Sequence, residues 1–248
     1  MGEHVTRGVV LRHTDYRETS RILTLFSRDL GRITVSARGC LRPKNRERAA
    51  TEMFTLGEYT LSERTGRYYL NSASIEDAFY NLRLDVGRLA YASYFIEICE
   101  SVLNEEELQP EFFDLLCASL KSLCDEQTSP EFARIFFEAK AMDILGFRPE
   151  VSACAACGGE LTEKAWFSVS TGGTVCENCH AGAPDAKPML PGSITFLRHV
   201  LDWDICRMSV LKPAQAVLDD LERTWRPFVK WHLERNYKLD GFIEKLNR

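Results

Sequence analysis

The segment RILTLFSRDLGRITVSA, residues 21–37, decides the fold of the first part of the chain. Residues 32–37 alternate polar and apolar side chains, as a half-buried strand does, and residues 27–31 have the composition of a turn. The segment therefore predicts a β-hairpin. Further strand-like runs lie at residues 5–11, 56–62 and 68–73. Several short strands with no helix between them favour a small barrel or sandwich over residues 1–80.

The period of the apolar residues changes near residue 81, where a helical pattern replaces the strand pattern. We interpret the apolar stripes that follow as core packing of helices. The first stripe consists of Phe95, Ile98, Cys99, Val102 and Leu103. The chain is thus predicted to be an α+β protein with a β module at 1–80 and a helical domain at 81–248, which carries a cysteine-rich insert at about 151–182.

The composition is that of a globular protein, with 248 residues of which 45% are hydrophobic and 27% are charged. No apolar run approaches the roughly 18 residues of a membrane-spanning helix. The first residues lack the apolar core of a secretory signal, and nine cysteines is an odd number for a set of disulfides. We therefore expect a cytoplasmic protein with no membrane association and with reduced thiols.

The formal net charge of −5 hides a strong asymmetry along the chain. Residues 1–48 hold 11 Lys/Arg and 5 Asp/Glu, for a charge of +6, whereas residues 81–150 hold 6 and 14, for −8. Salt screens charges beyond roughly 8–10 Å, so a basic face attracts polyanions even on an acidic protein. The average charge therefore does not exclude a nucleic-acid partner, although ordinary solvated faces also explain the split.

Four of the cysteines form two Cys-x-x-Cys pairs at zinc-ribbon spacing. Cys154 and Cys157 are separated by 18 residues from Cys176 and Cys179. Two thiolates in one tight turn reach a zinc ion at about 2.3 Å, and four cysteines close the tetrahedron without leaving room for water. The pattern predicts one structural Zn²⁺ per chain. Redox chemistry and four unrelated thiols are the alternatives, and His180 is interpreted as a surface residue.

A cationic loop follows the predicted hairpin. Five cations and one acid lie between Arg38 and Arg48, and Gly39 and Pro43 disfavour a helix there. Such a loop beside a small barrel suits phosphate contacts with little base specificity. Candidates for base stacking are Tyr16, Phe26, Tyr68 and Tyr69, although core packing is the expected role of Phe26. A solvated linker is the alternative interpretation.

The sequence lacks the common catalytic motifs. It has no phosphate-binding Gly-x-x-x-x-Gly-Lys-[Ser/Thr] loop, no Gly-x-Ser-x-Gly nucleophile motif and no His-Glu-x-x-His zinc motif. The five histidines are scattered along the chain. An enzyme is therefore the poorer interpretation, and a nuclease with an unrecognised site remains a remote one.

The whole chain resembles the bacterial recombination-mediator family RecO. The resemblance rests on the order and spacing of several motifs rather than on any one of them. These motifs are Val9-Val10-Leu11 with Asp15-Tyr16-Arg17-Glu18, then Ala37-Arg38-Gly39 with Arg42-Pro43-Lys44-Asn45-Arg46, then Tyr80-Asn81-Leu82-Arg83-Leu84-Asp85, and finally Leu145-Gly146-Phe147-Arg148-Pro149 with Cys154-Ala155-Ala156-Cys157-Gly158.

The resemblance implies an N-terminal OB-fold that binds single- and double-stranded DNA, followed by a helical part with a zinc-binding four-cysteine insert. It implies annealing of complementary strands without enzymatic turnover. The implied partners are RecR, the acidic C-terminal tail of the single-strand binding protein SSB, and RecA, which is loaded onto SSB-coated DNA. The implied location is the cytoplasm, in association with the nucleoid. No motif assigns the residues of the SSB-tail pocket.

Eight basic residues are predicted to contact DNA on this resemblance. The family's basic loop corresponds to Arg38, Arg42, Lys44, Arg46 and Arg48. Secondary candidates on the barrel are Arg17, Arg21 and Arg32. Asn45 stands where serine is common in the family, which leaves a neutral hydrogen-bonding group in place. The rival hypothesis is a zinc-ribbon adaptor that binds another protein and has no direct contact with DNA.

Overall fold

A computed structural model of the chain describes residues 2–205 and 211–233, together with residues 237, 238 and 241. The chain divides into two compact units, Met1–Asp125 and Glu126–Arg248. The first unit contains five strands and two helices, and the second contains the cysteine-rich segment and further helices. Cys206 lies outside the described residues.

The first unit is built on a closed barrel of five strands, which are β1 (Gly2–Tyr16), β2 (Ser20–Ser27), β3 (Gly31–Ala37), β4 (Leu56–Arg64) and β5 (Arg67–Asp77). Around the barrel the strands follow the order β1-β2-β3-β5-β4, and β4 pairs back onto β1. The β3–β5 pair is parallel and the other pairs are antiparallel. This is the five-stranded Greek-key barrel of the OB-fold. The predicted fold class is confirmed.

The predicted hairpin is the β2–β3 pair, in register from Ser27 opposite Gly31 to Arg21 opposite Ala37. Gly31 has a φ of 71°, a left-handed conformation that glycine adopts at little cost. Alternate side chains of the two strands point into the barrel core, namely Leu23, Leu25, Ile33 and Val35. There they pack with Tyr59 and Leu61 of β4.

Two helices, α1 (Val86–Val102) and α2 (Pro110–Cys124), belong to the same compact unit as the barrel. The rings of Phe26 and Phe113 meet edge to face at 5.5 Å, and Arg28 donates two hydrogen bonds to Asp114. The chain changes from strands to helices near residues 80 and 81. The compact unit extends beyond that point, since it includes α1 and α2 together with the barrel. The division into domains at 1–80 and 81–248 stays a prediction.

The second unit combines a small three-stranded sheet with helices. Ser129 caps the helix that begins at Pro130, because its hydroxyl accepts a hydrogen bond from the backbone N–H of Phe132 at 3.1 Å. Gly146, with a φ of 83°, follows the end of that helix. The elements are α3 (Pro130–Ile144), β6 (Ala165–Ser168), β7 (Gly173–Cys176), β8 (Lys187–Met189), α4 (Pro191–Asp202), α5 (Gln215–Thr224) and α6 (Arg226–Leu233).

A buried ion-pair network joins three helices of this unit. Glu138 is fully buried and accepts hydrogen bonds from Arg134 and Arg226, and Arg134 also contacts Glu222. A buried carboxylate is tolerated only when cations and hydrogen bonds replace the lost water. The network therefore links α3 to α5 and α6 through charge as well as through apolar packing.

Over the part of the chain that the structure describes, no helix has both the length and the apolar character required to cross a membrane.

Candidate nucleic-acid groove and metal centre

A groove of about 790 Å³ opens on the face of the barrel formed by β2, β3 and the start of β5. The β1–β2 loop and the β4–β5 turn form part of its walls. In OB-folds this same face, together with these two loops, binds oligonucleotides. Charged and aromatic side chains dominate the lining: Arg17, Arg38, Arg42, Arg67, Tyr16, Tyr68, Tyr69, Glu105 and Glu106.

Local backbone geometry places the two loops around the groove. Arg17 has a φ of 56°, which lets the β1–β2 loop reverse tightly. Thr65 and Gly66 have successive φ values of 51° and 68°, the pattern of a type I′ hairpin turn. This turn brings Tyr68 and Tyr69 opposite Val35 and Ser36 of β3.

Arginine and tyrosine side chains are interleaved along the groove. The guanidinium carbon of Arg38 lies 4.6 Å from the centre of the Tyr69 ring, and that of Arg17 lies 5.2 Å from the Tyr16 ring. Cation–π contacts of this kind hold a cation over an aromatic face. Tyr16 is 48% exposed. The groove thus offers charge for phosphates and flat faces for bases.

The structure brings three predicted DNA contacts, Arg17, Arg38 and Arg42, together in this groove. The other cations of the basic loop lie outside the lining and are exposed: Lys44, Arg46 and Arg48. The loop follows a defined path, because Cys40 is buried in the barrel core and residues from Arg46 to Thr51 form a short 3-10 helix. Asn45 caps that helix by accepting a 2.8 Å hydrogen bond from the N–H of Glu47.

Two predicted contacts, Arg21 and Arg32, lie away from the groove surface. The Arg21 side chain is 7% exposed, and its guanidinium pairs with Asp15 at 2.9 Å and Glu52 at 2.8 Å. Burial lowers the pKa of Arg21, but hydrogen bonds to Glu52 and Asp15 outweigh it and the pKa is raised. Arg32 is half-buried and directs a nitrogen towards the carbonyl oxygen of Glu100 at 3.4 Å.

Sequence reasoning missed Arg67, Glu105 and Glu106 as lining residues of the groove. Arg67 follows directly on the Thr65-Gly66 turn, and its position at the start of a strand was the available signal. Nothing in the local sequence places Glu105 and Glu106 there, because the segment between α1 and α2 reaches the barrel only through tertiary packing.

The four cysteines of the two Cys-x-x-Cys pairs form one cluster in the second unit. The sulfur atoms of Cys154, Cys157, Cys176 and Cys179 all lie within 4.8 Å of one another, and those of Cys157 and Cys176 are 4.0 Å apart. A tetrahedral zinc ion with bonds of about 2.3 Å sets its sulfur ligands about 3.8 Å apart. The donor set and its spacing therefore fit a metal ion held by four thiolates.

Two backbone turns hold the thiols in place. In the first, the N–H of Gly158 donates to the Cys154 carbonyl oxygen at 2.7 Å, with Gly158 at a φ of 71°. In the second, the N–H of Cys179 donates to the Cys176 carbonyl oxygen at 3.1 Å. The His180 ring stacks on the Trp166 ring at an interplanar angle of 9°, with the ring centres 4.0 Å apart. The histidine therefore lies beside the cluster but is not part of it.

The thiol pKa values within the cluster diverge. Burial opposes ionisation of Cys154, but backbone hydrogen bonds from Cys176 and Cys157 overcome it and lower the pKa to about 6. Hydrogen bonding with the Cys176 and Cys157 sulfurs, in contrast, raises the pKa of Cys179 to about 12. Four adjacent thiols do not all ionise without a cation, so a bound metal ion would complete the cluster electrostatically.

The cysteines of the first unit present a different environment. Burial raises the pKa of Cys99 well above its usual value and that of Cys117 to about 12. Both thiols therefore remain protonated near neutral pH and behave as small apolar side chains.

Family models match both parts of the chain. Residues 1–79 match the model described as Recombination protein O N terminal, and residues 83–240 match Recombination protein O C terminal. The chain belongs to the recombination protein O, or RecO, family. This places it in a family of DNA repair and recombination mediators, which is not a known enzyme family.

Several curated RecO relatives align over nearly the full chain. The protein from Pelotomaculum thermopropionicum is 32% identical over 97% of this chain and 93% of its own length. Those from Desulforudis audaxviator and Acetivibrio thermocellus are 30% and 29% identical, each over at least 97% of both sequences. All three are named DNA repair protein RecO.

The helical unit of this RecO-family chain also carries an apolar depression rimmed by charge. Two adjoining hollows, of about 640 and 540 Å³, share Lys187, Pro227 and Trp231. Trp231 on α6 is 67% exposed, a large apolar area to leave in water. Val169 and Pro184 extend the apolar surface, and the rim carries Lys187, Arg223, Arg226, Lys230, Glu222 and Asp185.

Proposed function

We propose that this chain is a DNA repair and recombination mediator that binds single-stranded DNA in the groove of its OB-fold. The observation that carries the proposal is the convergence of four arginines and three tyrosines on the oligonucleotide-binding face of the barrel. Arginines meet the phosphates, which supplies affinity without sequence information. Stacking of bases on tyrosine adds about 1–3 kcal/mol per base and tolerates any sequence.

The exposed cations of the basic loop extend this surface beyond the groove. Lys44, Arg46 and Arg48 lie next along the chain after Arg42, and all three are exposed. A second strand, or a duplex, presents phosphates outside the groove that these cations are able to neutralise. This arrangement supports binding of both single- and double-stranded DNA, and annealing of complementary strands without catalytic turnover.

We further propose that Zn²⁺ occupies the four-cysteine cluster and has a structural role. Four protein thiolates satisfy a tetrahedral ion and leave no position for a reacting water molecule. The cluster ties the turns around Cys154 and Cys176 to one point, in a segment whose strands have only three or four residues each. Strands that short need an additional cross-link to remain ordered.

The charged rim around Trp231 supports a protein-binding role for the second unit. Its exposed indole suits an apolar side chain at the end of a peptide, and the neighbouring lysines and arginines suit acidic residues. We propose that this depression receives the acidic C-terminal tail of SSB. Together with RecR, the chain would then help load RecA onto SSB-coated single strands at the nucleoid.

Annealing of complementary oligonucleotides coated with SSB tests the whole proposal. The wild-type protein should accelerate annealing, whereas Arg38→Ala with Arg42→Ala should lose most of the acceleration while remaining folded. Arg83→Ala with Arg64→Ala removes the same charge outside the groove lining and is the matched control. A wild-type protein that neither binds nor anneals DNA would favour the adaptor hypothesis, in which the second unit alone acts.

The basic loop is tested by its salt dependence. Replacement of Arg42, Lys44 and Arg46 by alanine should weaken binding to all sequences about equally. The slope of log K against log salt concentration should flatten by about 0.7–0.9 for each phosphate that the protein no longer neutralises. A folded triple variant with an unchanged slope would show that the loop is a solvated linker.

The tail pocket is tested by titrating a fluorescent peptide that matches the SSB C-terminus. Trp231→Ala should weaken its binding by about 10-fold or more, the size expected for a central aromatic contact. Leu84→Ala, at another exposed apolar residue in the first unit, is the control. Equal affinities of the two variants would place the SSB contact elsewhere.

A further inference from the structure

The segment between α1 and α2 lies along the barrel as an additional strand-like wall. Glu105 forms an isolated parallel bridge with Arg32 of β3, and the N–H of Glu106 donates to the Arg32 carbonyl oxygen at 3.0 Å. The regular pairing of β3 with β5 is confined to Val35 and Ser36. The segment therefore lies beside β3 at Arg32, before the positions of Val35 and Ser36 at which β3 pairs with β5.

Close packing and hydrogen bonds hold this segment in position. A Cβ atom on Gly31 would lie 2.3 Å from the carbonyl oxygen of Glu107, so the absence of a side chain at Gly31 permits the approach. The Glu107 carboxylate accepts hydrogen bonds from the side chains of Asn104 and Gln109. The Thr34 hydroxyl donates to Glu105 at 3.3 Å. The side chains of Glu105 and Glu106 are thus carried on an anchored backbone.

Glu105 and Glu106 line the groove at the opposite end from Arg38 and Arg42, whereas Arg67 is level with Thr34 in the parallel pairing of β3 with β5. Arg38 follows the last residue of β3, whereas the acidic pair lies beside Arg32 and Thr34. At about 3.3 Å per strand residue, the four residues from Thr34 to Arg38 span about 13 Å. That distance exceeds the Debye length at physiological salt, so the acidic pair acts on phosphates at its own end of the groove, where Arg67 is the nearest lining cation, and not on phosphates beside Arg38.

Glu106 also affects Tyr68, one of the tyrosines that line the groove. Burial, and then the nearby carboxylate of Glu106, raise the pKa of the Tyr68 phenol. Glu106 has a φ of 58°, in the left-handed region that residues other than glycine rarely adopt. A phosphate placed beside Tyr68 would therefore meet the negative charge of Glu106.

We propose that Glu105 and Glu106 are strand-positioning residues that exclude the phosphate backbone from their end of the groove. The inference rests on the proposed DNA-binding function of that groove. A bound single strand is then held by its phosphates mainly at the end of the groove that carries Arg17, Arg38 and Arg42. The protein then contacts only a short length of the DNA strand. The remaining nucleotides stay outside the groove and are available for base pairing.

Fluorescence anisotropy with labelled oligothymidylates of increasing length, at several salt concentrations, tests this inference in the full-length protein. Glu105→Gln with Glu106→Gln should bind about 5- to 10-fold more tightly, the size expected when two like charges close to phosphates are removed. The salt slope should steepen by about 0.7 for each additional phosphate that is neutralised, and the minimum length for full affinity should increase.

Glu107→Gln is the matched control. Glu107 belongs to the same segment and carries the same charge, but it does not line the groove. The affinity of the Glu107→Gln variant should stay within about 2-fold of the wild type, because this side chain bonds to Asn104 and Gln109 rather than facing the groove. Melting temperatures of all variants check that the segment remains folded.

Three results would overturn the inference. The first is a double variant that matches Glu107→Gln in affinity and slope, because charge at the groove would then have no local effect. The second is weaker binding by the double variant, because the carboxylates would then accept hydrogen bonds from bases. The third is tighter binding without a change in slope or length. A wild-type protein that binds no DNA would instead contradict the proposed function itself.

Discussion

Arg21 and Arg38 show how burial assigns different roles to one residue type. Arg21 lies at the start of β2, where its guanidinium is enclosed and bound by Asp15, Glu52 and the Thr51 hydroxyl. Arg38 lies just beyond β3 and is exposed over the Tyr69 ring. The first residue therefore supports the barrel, and the second is available to a ligand.

Arg21→Met is expected to destabilise the protein by about 2 kcal/mol, because two carboxylates and a hydroxyl lose their shared cation. The value lies below the usual cost of breaking a buried pair, since Asp15 and Glu52 are themselves 62% and 40% exposed. Chemical denaturation monitored by circular dichroism measures the change. Arg38→Met is the control and should stay within about 0.5 kcal/mol of the wild type. Equal stability of the two variants would contradict this assignment.

At the scale of elements, the cysteine-rich segment relies on close backbone approach. Gly173, the first residue of β7, faces the backbone of Glu150, and the N–H of Thr174 donates to the Glu150 carbonyl oxygen at 2.7 Å. A Cβ on Gly173 would lie 2.2 Å from that same oxygen. The backbone of Glu150 thus anchors the strand that carries Cys176, a few residues before the four-cysteine cluster.

Gly173→Ala is expected to cost about 2–4 kcal/mol, because the backbone of Glu150 has to move or lose its hydrogen bond. Thermal unfolding is the measurement. Gly182→Ala, where an added Cβ meets nothing within 4 Å, is the matched control and should be nearly neutral. A melting temperature for Gly173→Ala equal to that of the control would show that the close approach is dispensable.

Cys157→Ser is expected to abolish tight binding of Zn²⁺ and to lower the melting temperature of the second unit, because one of four thiolates is removed. Metal content by elemental analysis and unfolding by calorimetry measure the two effects. Cys124→Ser, at a cysteine outside the cluster, should retain the metal. A serine variant that binds zinc as the wild type does would remove Cys157 from the ligand set.

At the scale of the whole molecule, the groove and the four-cysteine cluster belong to different compact units. The groove lies within Met1–Asp125 and the cluster within Glu126–Arg248. Each unit has its own buried core, and the second adds the buried Glu138 network. Removal of the metal should therefore act on the unit that holds it.

Treatment with a chelator is expected to lower the melting temperature of the second unit but to change the affinity for single-stranded DNA by less than about 2-fold. Stability gained from a ligand disappears where the ligand was bound, and the barrel contains none of the four cysteines. Calorimetry and anisotropy on the same sample measure both effects. A parallel decrease in DNA affinity would show that the metal supports the groove.

The amino-acid sequence by itself determined the α+β class, the barrel hairpin and the four cysteines that cluster. These features depend on local signals, namely period-2 alternation in residues 32–37, helical spacing after residue 81, and thiols three residues apart. Cys154 and Cys157 share one turn whatever the rest of the chain does. Such features can be predicted from the sequence because residues that are close along the chain are also close in space in any compact fold.

Only the tertiary structure decided which cations face the groove, and that Glu105 and Glu106 line the same groove. In the sequence Arg21 and Arg38 have the same formal charge, and burial distinguishes them only after the strands pair. The acidic pair lies about 70 residues from β3 along the chain, as the 71-residue separation of Thr34 and Glu105 shows. Contacts over such separations depend on closure of the barrel and docking of the helices, which no local pattern encodes.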